Sequence, residues 1–183
     1  MANNAQNVST GKPNIAGAVF VAPMTATLPT DATTTLGSDF VCLGYVSEDG
    51  LTNNNDMTVE SIKAWGGAIV YNSLTELDDN FALALIESEN EEVLKAVYGD
   101  DHVTVDGSTG AVSIDVVADD PAEKIWVFEL SLRGGKKKRI VVPDGAITSR
   151  EAIAYTDADA IAYGITVSAY PDADGCTHKE YIA

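Results

Sequence analysis

The sequence predicts a mainly β fold: a β-sandwich or barrel-like domain with one flanking α-helix and an extended N-terminal arm. Three observations carry this. At least eight short runs of β-forming residues are separated by turn signals. Only one stretch, 90–98, repeats its apolar residues at helical spacing. The first 30 residues contain no aspartate or glutamate, although the 183-residue chain carries a net charge of −17.

The arm comes first. Residues 1–30 are rich in Ala, Thr, Asn, Gly and Pro, with Lys12 as the only charged side chain and one apolar run at 15–23. A segment of that composition has little reason to fold on itself, so residues 1–30 are expected to order only on assembly. Residues 38–47, SDFVCLGYVS, alternate as a strand does and end at the turn EDG, 48–50. Residues 51–67 are polar and Asn-rich between two turn signals, which reads as a long loop or an extended hairpin. The chain thus divides into an arm, 1–37, and a single β-rich domain, 38–183, with a long loop at 48–67.

Residues 68–73 and 80–88 are the next strands, the second apolar on both faces as a buried strand is. In the helix, Asn90 is a fitting N-cap. Glu91 and Glu92 lie where the helix dipole favours negative charge, and Lys95 lies toward the other end. Val93, Leu94, Val97 and Tyr98 form one apolar stripe, which is core packing, and Gly99 stops the helix.

Strands follow at 102–105 and 111–118, around the turn DGSTG, 106–110. IWVFELSLR (125–133) and KKRIVVP (137–143) form the clearest hairpin. A two-residue loop would mix its faces. A three-residue loop of Gly134, Gly135 and Lys136 pairs Leu130 with Ile140, Phe128 with Val142 and Ser131 with Arg139. That leaves one face apolar, and a glycine takes the positive-φ position. The last strands fall near 145–155, 160–170 and 176–182.

Composition excludes several functions. Only 11 cations stand against 28 acids, so the chain does not grip nucleic acid, which needs clustered cations. Two cysteines far apart, Cys42 and Cys176, make no disulfide framework and read as free thiols of a reducing compartment, with one bridge between them as the alternative. The N-terminus lacks the regions of a signal peptide, and no apolar run reaches the roughly 18 residues of a membrane span, so no membrane binding is expected.

Motifs for chemistry are weak. STGKP (9–13) lacks the first glycine of a phosphate loop, and Pro13 replaces the magnesium-binding hydroxyl. PDADG (171–175) starts like a calcium loop but has no closing glutamate, so a tight turn with Asx hydrogen bonds fits it better. Cys176 and His178 are too few for zinc. His102 beside Asp100 and Asp101 has no nucleophile elbow to serve. No cofactor, metal or catalytic residue is expected, and the chain reads as no enzyme.

Charge placement is more telling. RGGKKKR (133–139) holds five of the 11 cations, while 76–120 holds 13 acids against one lysine. Lys136, Lys137 and Lys138 are therefore candidates for meeting an acidic patch on another copy. Trp65 beside Gly66 and Gly67, outside any clear strand, suits an interface anchor, with burial in its own core as the alternative.

Several stretches, in order and over most of the chain, resemble the tail tube proteins (major tail proteins) of long-tailed bacteriophages. They are NVSTGKPNIAGAVFVAP with TLPTDATTTL, LGYVSEDGLTN (43–53), SIKAWGG (61–67), EVLKAVYGDDHVT (92–104), LRGGKKKRIVVPDG (132–145) and YPDADGCTHKEYI (170–182). The resemblance implies a subunit of hexameric rings that stack into a tube, with sheets joined around an acidic channel for DNA passage during ejection. It implies subunit contacts through the arm and the loop, including Lys12, Pro13, Asp49 and Gly50. DNA would pass without specific binding. Tail-end and tape-measure proteins would be partners, in a virion assembled in the host cytoplasm. Strand positions with an outward polar face, Asp115, Glu129 and Ser131, are the lumen candidates. The alternative is a β-sandwich binding or adhesion module for carbohydrate or receptor, for which 7% aromatic residues offer little platform.

Overall fold

A computed structural model describes residues 3–183. It contains β1 (Lys12–Pro13), β2 (Val19–Ala22), β3 (Val41–Cys42), β4 (Val46–Lys63), β5 (Ile69–Leu85), α1 (Glu91–Tyr98), β6 (Val103–Val105), β7 (Val112–Ile114), β8 (Lys124–Ser131), β9 (Lys137–Arg150), β10 (Tyr163–Ala169) and β11 (Lys179–Ile182). Nine strands share one antiparallel sheet in the order β3-β2-β8-β9-β10-β5-β4, with β1 on β8 and β11 on β9, while β6 and β7 pair separately.

The long strand β9 forks the sheet. Its first half, Lys138–Val141, pairs with β11, and its second half, Gly145–Arg150, pairs with β10. Pro143 lies between the two halves, where neither pairing needs its missing N–H. The sheet then curls. Phe81 of β5 and Phe128 of β8 are separated by two intervening strands, yet their rings stack with centroids 5.1 Å apart. In a flat sheet, three strand steps of about 4.8 Å would hold them well apart. The concave side so formed packs Val19, Trp126, Phe128, Val142, Ile165, Val167, Phe81, Leu83 and Leu85 under Val93, Leu94 and Val97 of α1.

Asn90 caps α1 by accepting from the Glu92 N–H, and Lys95 pairs with Glu91 at 2.5 Å. The helix is as the sequence predicts, in composition and position.

The convex side of β8 and β9 is buried too. Ile125, Val127 and Val141 lie under Ala26, Leu28, Leu36 and Phe40. Residues 19–22 form a strand between β3 and β8, with Val19, Val21 and Ala22 nearly closed to solvent. The expectation that residues 1–30 wait for assembly is therefore corrected for this part. The apolar run 15–23 supplies a strand rather than an idle tail, and the chain behind it covers the sheet's back. Exposed residues 3–16 are the part that stays outside, apart from the half-buried Asn14; residues 1–2 of the expected arm lie outside the described residues.

Two further expectations change. Of the two readings of 51–67, long loop or extended hairpin, the structure has the hairpin: β4 pairs with β5 from Val46↔Leu85 to Lys63↔Ile69, and only Ala64–Ala68 turn. The strands assigned to 68–73 and 80–88 are one strand, β5. The β8–β9 hairpin has the expected faces, but its register differs by two residues. Phe128 faces Ile140, Leu130 faces Lys138, Glu129 faces Arg139 and Ser131 faces Lys137. A two-residue slip leaves every side chain on its own side, so alternation alone cannot tell these registers apart. The observed one allows a five-residue turn, closed by the Leu132 N–H on the Lys136 carbonyl at 2.7 Å, with Gly134 and Gly135 both at φ +80.

Candidate assembly surfaces

The β4–β5 hairpin extends well past the body of the sheet, and its two sides differ. Along one side of β5, Leu85, Leu83 and Phe81 are core, and Asp79 follows. Beyond Asp79 the same side continues as Leu77 opposite Met57 and Leu74 opposite Val59, all four exposed. The core face of the strand thus runs out into solvent as an apolar ladder. At the tip, Trp65 is fully exposed. Gly66 and Gly67 follow it at φ +102 and +92 and make the turn, which gives both glycines a local reason. Trp65 plugs no core of its own chain.

The opposite side is polar. Asp56 faces Asp78, Thr58 faces Glu76 and Glu60 faces Ser73. It continues across the sheet as Asn54 and Asn80, Thr52 and Ala82, Thr166 and Ser168. Ser168 links Asn80 and Thr148 by hydrogen bonds of 2.7 Å each. These side chains are small, partly or fully exposed, and include no lysine or arginine. Like charges directly opposite each other cost stability, so the Asp56–Asp78 pair serves no purpose of the isolated fold. These acids escaped the sequence reading because the Asn run hid the strand. The signal was there in DMTVE (56–60), which alternates acid or hydroxyl with an apolar residue.

Of the three lumen candidates, Asp115 is exposed just after β7, and its N–H donates to the His102 carbonyl. Ser131 is half-buried at the end of β8. Glu129 is 8% exposed and is held by Arg139, itself 3% exposed, so it presents no free charge. The structure does not bring these three together.

The hairpin's root is fixed by Asp79. Its carboxylate accepts from Thr177 Oγ1 at 2.6 Å and Asn53 Nδ2 at 2.8 Å, and lies 2.5 Å from His178 Nδ1. Burial pushes this carboxyl up, and the hydrogen bonds together outweigh it and hold it below the ordinary value. The His178 ring also meets Phe81 edge-on. The C-terminal turn is thereby pinned to the base of the hairpin. Asp172 makes that turn by accepting from the N–H groups of Asp174 and Cys176.

The interface candidates fall in three places. Lys12 and Pro13 are exposed in β1 against the end of β8. Asp49 and Gly50 lie on β4, where the register shifts between Val46 and Leu51. Lys136 and Lys137 are exposed at the β8–β9 turn, whereas Lys138 is paired with Glu180 at 2.6 Å. Among the described residues no three His, Cys, Asp or Glu side chains converge as a metal site, and Cys42 and Cys176 are free. No helix of the described residues is long and apolar enough to cross a membrane.

The curled sheet thus leaves an apolar ladder, an exposed tryptophan and a charged polar face uncovered. The chain belongs to the phage tail tube protein family, whose model matches residues 1–183, and it is a structural component of the virion tail. Among solved structures it is similar to the anti-feeding prophage tube-terminating cap, at 14% identity over 100% of both chains with a TM-score of 0.46. It is also similar to the sheath/tube terminator of an extracellular contractile injection system in its extended state. That match has 12% identity over 92% of this chain and 96% of the other, with a TM-score of 0.40. The comparison with curated proteins finds no match.

Proposed function

We propose that copies of this chain close into hexameric rings that stack into the tail tube, with the polar side of β4, β5 and β10 turned to the channel. The observation that carries this is the Asp56–Asp78 pair on a face without cations. A wall of fixed negative charge repels phosphates, so DNA slides past without the counterion release that drives binding. The apolar ladder of Met57, Leu77, Val59 and Leu74, with Trp65, docks on a neighbouring copy, and the exposed start of the arm, with Lys12 and Pro13, adds contacts. Asp115 belongs to the negative surface, and Glu129 supports the fold behind it. The chain acts without catalysis or cofactor, and assembles in the host cytoplasm with tape-measure and tail-end proteins.

Electron microscopy of the purified protein tests this. Sixfold rings or tubes with an open centre are expected. Dispersed monomers at every concentration would overturn the ring reading and favour an adhesion module presented on the virion.

A further inference from the structure

The cations of this chain are distributed in an unusual way. Among the described residues, Lys95, Lys124, Lys138, Arg139 and Lys179 are in ion pairs with carboxylates of their own chain. Lys12, Lys63, Arg133, Lys136, Lys137 and Arg150 are not. Four of these six gather at one end of β8. Arg133, Lys136 and Lys137 lie on the turn after it, and Lys12 sits opposite Ser131, its last residue.

At the other end of β8 acids outnumber cations. There Lys124 is held by Asp100 at 2.7 Å, beside a cleft of about 290 Å³ that is also lined by Asp101, Asp119 and Asp120, and by two further cations, Lys95, which is held by Glu91, and Arg150. Asp119 is matched to His102 at 2.8 Å, and Asp101 and Asp120 are exposed with no cation of their own chain. Glu123, exposed, adds to this end. β8 is eight residues long, so at roughly 3.3 Å per residue the two ends stand about 23 Å apart. Unpaired cations thus predominate at one end of β8 and unpaired acids at the other.

We infer that Lys136 and Lys137 of one copy seat in the cleft of Asp101 and Asp120 on a second copy, joining successive rings head to tail. A −17 chain that keeps four unpaired cations at one end of β8 gains nothing from them as a monomer. Stacked copies turn net repulsion into local attraction at each joint. The contact is heterologous, one pole against the other, so it does not close and continues as a filament of fixed direction. This rests on the ring reading, and adds which ends of the ring meet.

The test is a charge exchange in the full chain, read by sedimentation and electron microscopy. Lys136→Glu with Lys137→Glu is expected to abolish tubes and leave single rings. Adding Asp101→Lys with Asp120→Lys to the same chain is expected to restore tubes, which also shows that the first variant is folded. Wild-type tubes are expected to shorten between about 0.1 M and about 1 M salt, as the screening length falls from about 10 Å to about 3 Å. Tubes that survive the first exchange, or are not restored by the second, overturn this inference and leave the ring reading standing. Absence of rings from the wild type overturns both.

Discussion

Glu129 and Arg139 face each other directly across β8 and β9, with Arg139 Nε donating to Glu129 Oε1 at 2.8 Å. The pair is also the anchor of the N-terminal segment. Asn14 Nδ2 donates to Glu129 Oε2 at 2.9 Å, and Arg139 Nη1 donates to the Asp31 carbonyl at 2.8 Å. Breaking a buried pair by removing one partner leaves an uncompensated charge, at a cost of about 3–5 kcal/mol. Glu129→Ala is therefore expected to lower the urea midpoint sharply, while Glu129→Leu with Arg139→Met recovers much of the loss. If the single variant unfolds as the wild type does, the pair contributes nothing and the segment is held by its apolar contacts alone.

Trp65 separates stability from assembly. It touches no core, so Trp65→Ala is expected to change monomer stability by no more than about 0.5 kcal/mol, as for other surface substitutions. Assembly into rings should nevertheless be lost, because large aromatics at interfaces carry a disproportionate share of the binding energy. Thermal melts and sedimentation of the same preparation check both halves. A variant that melts far lower but still assembles would contradict the expectation.

Asp79 gives the fold an acid limit. Its carboxyl is lowered from 3.8 in the fold, so its ionised form stabilises above that value, and the contribution is lost as the pH falls below it. Asp79→Asn should therefore be less stable than the wild type at neutral pH, with the gap closing as the pH drops below 3.8 toward the lower value of the folded state. Urea midpoints of both chains across that range measure it. A gap that stays constant would show that the loss is one of packing and not of charge.

The charged wall is tested by neutralising it. Asp56→Asn, Glu60→Gln, Glu76→Gln and Asp78→Asn together remove four charges from one side of the hairpin. Without the Asp56–Asp78 repulsion, subunits should be slightly more stable, as expected for removing like charges directly opposite each other. Tubes should still form, but virions that carry them should eject DNA more slowly. Unchanged ejection would place these residues away from the channel.

What the sequence disclosed depended on whether one side of an element is buried. Val93, Leu94 and Val97 of α1 pack on the core, and their spacing, the Asn90 cap and the Gly99 stop agreed with the structure. The faces of β8 and β9 were legible for the same reason. Their register was not, because alternation repeats every two residues and the choice falls to the turn geometry at Gly134 and Gly135. The outer part of the β4–β5 hairpin stayed undecided between loop and hairpin because, beyond Asp79, neither of its sides is buried within the chain. Its polar residues and Asn run fit both readings. The strand at Val19–Ala22 was obscured by the acid-free composition around it. The Asp79 node joins positions 53, 79, 177 and 178, and no spacing in the sequence announces such a meeting.

The outer edge of β4 has a bearing on timing. The strand runs for 18 residues at the end of the sheet, and among the described residues no other strand covers that edge. Open edges of this length recruit any extended chain they meet, another free copy included. Asp49, Asp56 and Glu60 are spaced along the strand, so two free edges repel as they approach. On the proposed ring reading, random collisions are then unproductive and growth is expected only at an end that already presents the right neighbour. Tube formation is accordingly expected to be seeded, with a lag that light scattering of the purified protein would record.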